Sequence, residues 1–281
     1  MDIRPRSLST RVRVALAVLA AVVIVPLTTG GSATAGPSSS DHHGPKPTIV
    51  LVHGDWADAS SWDGVSERLI RKGYQVVAPP NPLRGPSSDA AYLASYLRTI
   101  DGPIVLVAHS YGGFVITNAA TGNPNVKALV YVDAFIPDLG QTAGELAVGS
   151  CLDPATAFDA VPGPDSVIDL YLRHERNGSY PGYQECFANG VPRKKAALLE
   201  AGQRPAALDE FGDPSGPPAW ATIPSWSLIG TADREITPAQ QRIMSTRAGA
   251  RISTVNTGHL SLVIRPDVVT DIITTAVRAT R

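Results

Sequence analysis

Ser110 stands where a buried strand gives way to a helix, and it is the residue of this chain whose setting most clearly points to chemistry. The preceding run Ile104–Val107 is apolar and mostly β-branched, which is typical of a strand buried on both faces of a parallel sheet. A tight strand-turn-helix holds the serine hydroxyl clear of the backbone, so that a base and a substrate can both reach it. Ala108 and Gly112, two residues on either side, are small enough for the close packing that such a turn requires.

A serine hydroxyl needs a base, and the base needs an acid to orient it. In a parallel α/β sheet these partners follow the serine in the order acid, histidine, each after a later strand. Asp233 follows the predicted strand Ser225–Ile229, and His259 follows the predicted strand Arg251–Val255. We therefore expect His259 to be the base and Asp233 its acid. Because free imidazole titrates near ~6.5, activity is expected to rise with pH around neutrality.

Asp133 is an alternative acid, because it ends another predicted strand, Ala128–Val132. Asp233 is favoured over it, because the position of Asp233 satisfies the order of the strands. Two further histidines, His53 and His109, are expected to hold their own loops by hydrogen bonds.

The negative oxygen that forms during attack on a carbonyl requires two preorganised donors. The backbone N–H of Tyr111, directly after the serine, is expected to be one of them. The turn His53-Gly54 ends the first predicted strand, Thr48–Val52, and brings in the backbone N–H of Asp55 as the other.

The pattern of the chain predicts an α/β fold with a doubly wound, mainly parallel sheet and an inserted helical cap. Strands and helices alternate up to Val132, which implies crossover connections. From about 134 to 224, proline and glycine are dense and buried-strand patterns stop, so this region is expected to form a cap of short helices. The segments Ser166–Arg176 and Arg193–Leu208 are its predicted helices, and Leu260–Thr280 is expected to end the chain as one helix.

The first 35 residues have the layout of a secretory signal peptide. A basic start precedes the apolar run Val14–Leu27, and Ala33-Thr34-Ala35 offers a cleavage site near Ala35. The apolar run is shorter than the ~20 residues of a spanning helix, which favours cleavage and secretion over a retained anchor. Residues 36–47 are expected to be a flexible linker.

Only two cysteines are present, Cys151 and Cys186, and both fall inside the predicted cap. In an exported protein an even pair favours a disulfide, with two buried thiols as the alternative. The net charge is −1 and no basic stripe occurs, which argues against nucleic acid as a partner. His42-His43 lacks further ligand spacing, so no metal is expected there, and the predicted serine chemistry needs no cofactor.

At these residues the chain resembles the α/β-hydrolase superfamily, and most closely the small cap-bearing esterases that include plant methylesterases and hydroxynitrile lyases. The similar segments are VLVHGDWADASSW, VLVAHSYGGFVITNAA, ALVYVDAFIPD, IGTADREITPAQQ and GHLSLVIRPD. The resemblance implies Ser110 as nucleophile, His259 as base and Asp233 as acid, with Asp55 and Tyr111 as oxyanion donors. Ala108 departs from the glycine usual at its position.

The sequence therefore predicts a secreted serine hydrolase, a carboxylesterase whose partner is a small or medium ester and which has no stable association with a membrane. Two alternatives remain open. The first is a non-hydrolytic enzyme with the same three residues, such as a lyase or a perhydrolase. The second is a binding protein on the same fold, since a fold does not fix a function.

Overall fold

The computed structural model describes residues 45–174 and 182–280. The predicted signal peptide (1–35), the predicted linker up to residue 44 and the His42-His43 pair lie outside the described residues.

The described residues form two sheets, a parallel sheet of six strands and an antiparallel sheet of three. In chain order the strands are β1 (Thr48–Val52), β2 (Gln75–Val77), β3 (Ile104–Ser110), β4 (Val126–Ala134), β5 (Phe158–Pro162), β6 (Ile168–Leu172), β7 (Ala206–Ala207), β8 (Ser225–Gly230) and β9 (Arg251–Val255). The main sheet has the order β2-β1-β3-β4-β8-β9, and every neighbouring pair is parallel. β3 therefore lies in the interior of the sheet, and every one of its residues is buried.

Helices cover both faces of the main sheet. The helices are α1 (Asp63–Arg71), α2 (Pro86–Leu97), α3 (Gly112–Ala119), α4 (Ala143–Leu146), α5 (Arg193–Ala201), α6 (Pro238–Arg247), α7 (Ser261–Ile264) and α8 (Pro266–Ala279). α1 and α8 pack in one apolar cluster with Val105 and Val107, whereas α2, α3 and α6 pack in the other with Ile104 and Leu106. Alternate side chains of β3 thus enter opposite cores, and the predicted doubly wound α/β fold is confirmed. No helix of the described residues is long and apolar enough to cross a lipid bilayer.

The region between β4 and β8 adds no strand to the main sheet among its described residues, but it is not purely helical. The helix predicted over Ser166–Arg176 is wrong, because this segment contains β6, which pairs antiparallel with β5 and β7. Leu170 and Leu172 are buried, whereas the residues between and before them are half-buried. Burial of every second residue is typical of a strand and not of a helix. The helix predicted over Arg193–Leu208 ends at Ala201.

The single C-terminal helix predicted over Leu260–Thr280 is also wrong, because it is interrupted at Arg265. Pro266 begins α8, and Arg265 adopts φ −131° and ψ 59°, outside the helical region. Proline disfavours the helical conformation in the residue before it and suits the first turn of a helix, which explains the break.

A disulfide joins Cys151 to Cys186, with 5.9 Å between their Cα atoms. It links the beginning of the cap to the turn Tyr183–Phe187. The backbone N–H of Cys151 also donates to the carbonyl of Arg234, at 2.9 Å, in the loop after β8. The disulfide therefore holds two cap segments to each other, the backbone of Cys151 holds the loop after β8, and no strand of the main sheet is part of the disulfide.

Replacing both cysteines by serine should loosen the cap before the sheet. In the chain-entropy model, opening a loop of this length removes roughly 4 kcal/mol of stabilisation. Limited proteolysis should then cut first between residues 135 and 224, while far-UV circular dichroism retains the signal of the main sheet. First cuts in the main sheet, or two free thiols in the unreduced denatured protein, would contradict this account.

Candidate functional site

Ser110 ends β3 in a left-handed backbone conformation, with φ +53°, and only 1% of its surface is exposed. A non-glycine residue in this region is strained, as expected for a serine lifted out of a sharp turn. Two glycines allow the close approach around it. A Cβ on Gly54 would lie 2.6 Å from the Cβ of Ser110, and one on Gly112 would lie 2.9 Å from the carbonyl oxygen of Val52.

Asp233 and His259 form a hydrogen bond in the interior, between the loops after β8 and β9. The ring Nδ1–H of His259 donates to Oδ2 of Asp233 at 2.9 Å, which leaves Nε2 as the basic nitrogen. Asp233 also accepts from the backbone N–H groups of Glu235 and Ile236, at 2.9 and 3.1 Å, and from the Gln241 amide at 2.7 Å. Four donors therefore fix the carboxylate, and the carboxylate fixes the tautomer of the ring.

Asp133, the alternative acid, has other hydrogen-bond partners than the His259 ring. Its carboxylate accepts from the backbone N–H of Gly230 at 2.7 Å and from that of Ser261 at 3.0 Å. It thus ties the ends of β4 and β8 to the first turn of α7. No hydrogen bond joins it to His259 among the described residues, so the geometry favours Asp233 as the partner of the imidazole.

The two expected oxyanion donors flank the serine. In the described part of the chain the backbone N–H groups of Asp55 and Tyr111 make no hydrogen bond, and both are buried. Gly54 lies between them, since a Cβ there would be 3.1 Å from the nitrogen of Tyr111. His53 holds this turn through Gly54 O, at 2.9 Å, and through the backbone N–H of Asn81, at 3.1 Å, as predicted.

His109 positions the loop of the histidine. Its Nε2 is 2.9 Å from the backbone oxygen of His259, and the two rings lie 4.7 Å apart. His109 was expected to hold its own loop, but its side-chain hydrogen bond is to the loop of His259. From the cap, Phe187 packs on the His259 ring at 5.4 Å.

Asn189, which sequence reasoning missed, connects the cap to both loops. Its side-chain oxygen accepts from the backbone N–H of His259 at 3.3 Å, and its amide donates to the carbonyl of Ala232 at 2.8 Å. Gly258 is required here, because a Cβ would lie 2.2 Å from Asn189. The cap is therefore part of the framework that holds the acid and the histidine.

Nε2 of His259 and Oγ of Ser110 are both buried, and neither forms a hydrogen bond among the described residues. Catalytic hydrogen bonds are often long or poorly aligned without substrate, so the absence of this bond does not rule out a serine–histidine pair. Burial lowers the pKa of His259 to about 3. The structure thus places the titration of the base well below the value near 6.5 expected from free imidazole.

Buried carboxyls surround this site, and sequence reasoning missed two of them. Glu210, in the short 3₁₀ turn Leu208–Phe211 of the cap, is buried, and its charge and that of the Asp55 side chain act on each other. Burial raises the pKa of Asp55 to about 7 and that of Glu210 well above its usual range, so the pair holds a proton. The second, Glu235, follows Asp233 by two residues. Among the described residues, no group of three or more potential ligands is arranged to hold a metal ion.

The Alpha/beta hydrolase family matches residues 49–272 of the chain. The chain is 25% identical over 262 residues to Methylesterase 8 of Arabidopsis thaliana, covering 80% of this chain and 88% of that protein. It is 33% identical over 107 residues to a carbendazim hydrolyzing esterase of Nocardioides sp., covering 34% of this chain and 44% of that protein. The chain thus matches less than half the length of that esterase.

A pyrethroid hydrolase from Sphingobium faniae has a similar structure, with a TM-score of 0.64. The sequences are 21% identical, and the superposition covers 83% of this chain and 98% of that one. This likeness shows that the two chains share a fold.

Asp55→Asn should flatten the dependence of stability on pH. Because the pKa of Asp55 rises from 3.8 to about 7 on folding, its contribution is fully present below pH ~4 and is lost as pH rises through ~7. Between these limits the free energy of unfolding should fall by roughly 2–4 kcal/mol more in the wild type than in the variant.

Urea unfolding from pH 4 to 8 measures this difference. Asp209, an exposed residue next to Glu210 in the sequence, supplies the matched control. Asp209→Asn should keep the wild-type slope of unfolding free energy against pH. Equal slopes for Asp55→Asn and the wild type would show that the Asp55 carboxyl is not protonated in the fold.

Proposed function

Because the chain belongs to the Alpha/beta hydrolase family, we propose that it is a serine hydrolase that cleaves carboxylic esters through Ser110, His259 and Asp233. The observation that carries the proposal is the hydrogen bond of His259 Nδ1 with the buried Asp233 carboxyl group, which leaves Nε2 as the basic nitrogen, together with the strained backbone of Ser110 at the end of β3. A base held in one tautomer next to a strained hydroxyl is the arrangement that acyl transfer requires.

The reaction begins when Nε2 takes the proton of the Ser110 hydroxyl and Oγ attacks the ester carbonyl. Asp233 stabilises the imidazolium that forms, and the free N–H groups of Asp55 and Tyr111 donate to the negative oxygen. The imidazolium then gives its proton to the leaving alcohol as the C–O bond breaks. Water, activated by the same nitrogen, releases the acid from the acyl-enzyme.

The burial of Ser110 and His259 and the names of similar proteins support small or medium esters as substrates. Ser110 is 1% exposed and His259 is fully buried beneath the cap, which disfavours bulky polymeric substrates. The similar proteins named above include a methylesterase and an esterase. A lyase or a binding protein on this fold would lack ester turnover through an acyl-enzyme, whereas a perhydrolase would transfer the acyl group to hydrogen peroxide in place of water.

The proposal includes export of the protein. The basic and apolar pattern of residues 1–35 supports it, and the Cys151–Cys186 disulfide is compatible with an oxidising compartment. Fractionation of the source cells with an antibody to residues 48–281 tests it, and a chain that retains residues 1–35 in the cytosol would contradict it.

A fluorophosphonate should label Ser110, because the probe reacts with an activated serine. Peptide mass spectrometry locates the adduct, and Ser110→Ala should abolish labelling and lower kcat for a p-nitrophenyl ester by at least about 10⁴-fold. Ser95→Ala, on an exposed position of α2, is the control and should change neither. Labelling at another residue, or full activity of Ser110→Ala, would overturn the assignment.

The acid limb of the pH profile should lie well below neutrality. With a pKa of about 3, His259 remains neutral and basic as pH falls, so kcat/KM at pH 5 should keep most of its value at pH 6. A fall to half-maximal activity near pH 6.5, where free imidazole titrates, would contradict the burial of the ring.

A further inference from the structure

The carboxyl group of Glu235 lies close to Nε2 of His259, the nitrogen that transfers the proton in the proposed reaction. Its Oε2 is 3.2 Å from Nε2, and only 7% of the Glu235 side chain is exposed. The two atoms are close but not aligned, and neither forms a hydrogen bond among the described residues. Asp233 occupies Nδ1 of the same ring, so the imidazole lies between two acids.

The fold itself does not account for this carboxyl. Within residues 45–174 and 182–280, no lysine or arginine forms an ion pair with Glu235. Its contribution to the loop comes from its backbone N–H, which donates to Asp233 and would do so with any side chain. Burial, followed by the charges of Asp233 and Asp55, raises the pKa of Glu235 well above its usual range. A buried acid without a cation weakens a fold, and such groups are typical of functional sites.

The proposed reaction, on which this inference rests, brings the alcohol part of the ester to Glu235. Nε2 must approach the leaving oxygen within hydrogen-bonding distance in order to protonate it. Since Oε2 is 3.2 Å from Nε2, a substituent on the carbon next to that oxygen lies beside the carboxyl of Glu235. The acyl part is attached to the opposite side of the reacting carbonyl.

We propose that Glu235 makes the site selective for esters of amino alcohols, in which a basic amine lies two carbons from the ester oxygen. The ammonium group provides the cation that the buried carboxyl lacks. An amine that enters as the free base takes the proton of Glu235, and one that enters as an ammonium releases that proton to water. The ammonium keeps its proton throughout, while the proton of Ser110 passes through Nε2 to the leaving oxygen.

Two isosteric esters test the selectivity on the intact protein. The first is 2-(dimethylamino)ethyl butyrate and the second is 3-methylbutyl butyrate, in which a C–H replaces the N–H. After division by the hydroxide-catalysed rate constants, kcat/KM at pH 7 should be about tenfold to a hundredfold higher for the amine, as for a buried charge-assisted hydrogen bond. Ethyl 4-(dimethylamino)butanoate and ethyl 5-methylhexanoate are the control pair, because they carry the same exchange of N–H for C–H in the acyl part of the ester.

The alcohol-side ratio is kcat/KM for 2-(dimethylamino)ethyl butyrate divided by kcat/KM for 3-methylbutyl butyrate, and the acyl-side ratio is the corresponding quotient for the two ethyl esters. Glu235→Gln should reduce the alcohol-side ratio to about one, because the amide keeps the shape of the side chain but not its charge. The acyl-side ratio should change much less. Glu185→Gln, at an exposed position of the cap, is the matched control and should keep the wild-type ratio. An alcohol-side ratio at or below one in the wild type, or a ratio unchanged in Glu235→Gln, overturns the inference.

Failure of the proposed function gives a different result. Protein that is labelled at Ser110 but shows no amine preference refutes the role of Glu235 alone, whereas absence of both labelling and ester turnover refutes the hydrolase itself. Product inhibition of the wild type provides a measurement that needs no variant. The inhibition constant of 2-(dimethylamino)ethanol should be lower than that of 3-methylbutan-1-ol by the same factor, and equal constants contradict the inference.

Discussion

The site depends on one buried carboxylate, that of Asp233, and on the donors that surround it. Two backbone N–H groups, the Gln241 amide and the His259 ring satisfy it at 2.7–3.1 Å. A carboxylate in the interior is costly unless its oxygens are paired, and here the pairing fixes the direction of the imidazole. Because Nδ1 is bonded to Asp233, Nε2 is the nitrogen that serves Ser110 and the leaving group in the proposed reaction.

The rest of the fold brings these groups to one edge of the sheet. β3, β8 and β9 are parallel, so Ser110, Asp233 and His259 all follow carboxyl ends of strands. Asp133 ties the ends of β4 and β8 to α7, and Asn189 ties the cap to the loops of Asp233 and His259. The cap therefore supports the site as well as covering it, and its disulfide lies three residues from Asn189.

Patterns that depend on local spacing could be predicted from the sequence. The buried run before Ser110 and the order of Asp233 and His259 along the chain indicated the sheet and the three candidate residues. The cap was harder, because Ile168–Leu172 is short and fits a helix and a strand about equally well until its partners are known. Glu210 and Glu235 could not be assigned at all, since a carboxyl in a polar loop is usually solvated. The only available signal was the position of Glu235, two residues from the acid.

The central claim is that Asp233, and not Asp133, acts on His259, and a matched pair of variants tests it most directly. Asp233→Asn and Asp133→Asn each remove one buried carboxylate, and the free energy of unfolding of each is measured beside the acylation rate with a p-nitrophenyl ester. The account predicts that Asp233→Asn lowers acylation by about 10³–10⁴-fold, because the ring loses its tautomer. Asp133→Asn should mainly lower stability and leave the acylation of folded protein within about tenfold of the wild type. The reverse pattern, with acylation lost in Asp133→Asn and kept in Asp233→Asn, would contradict the account.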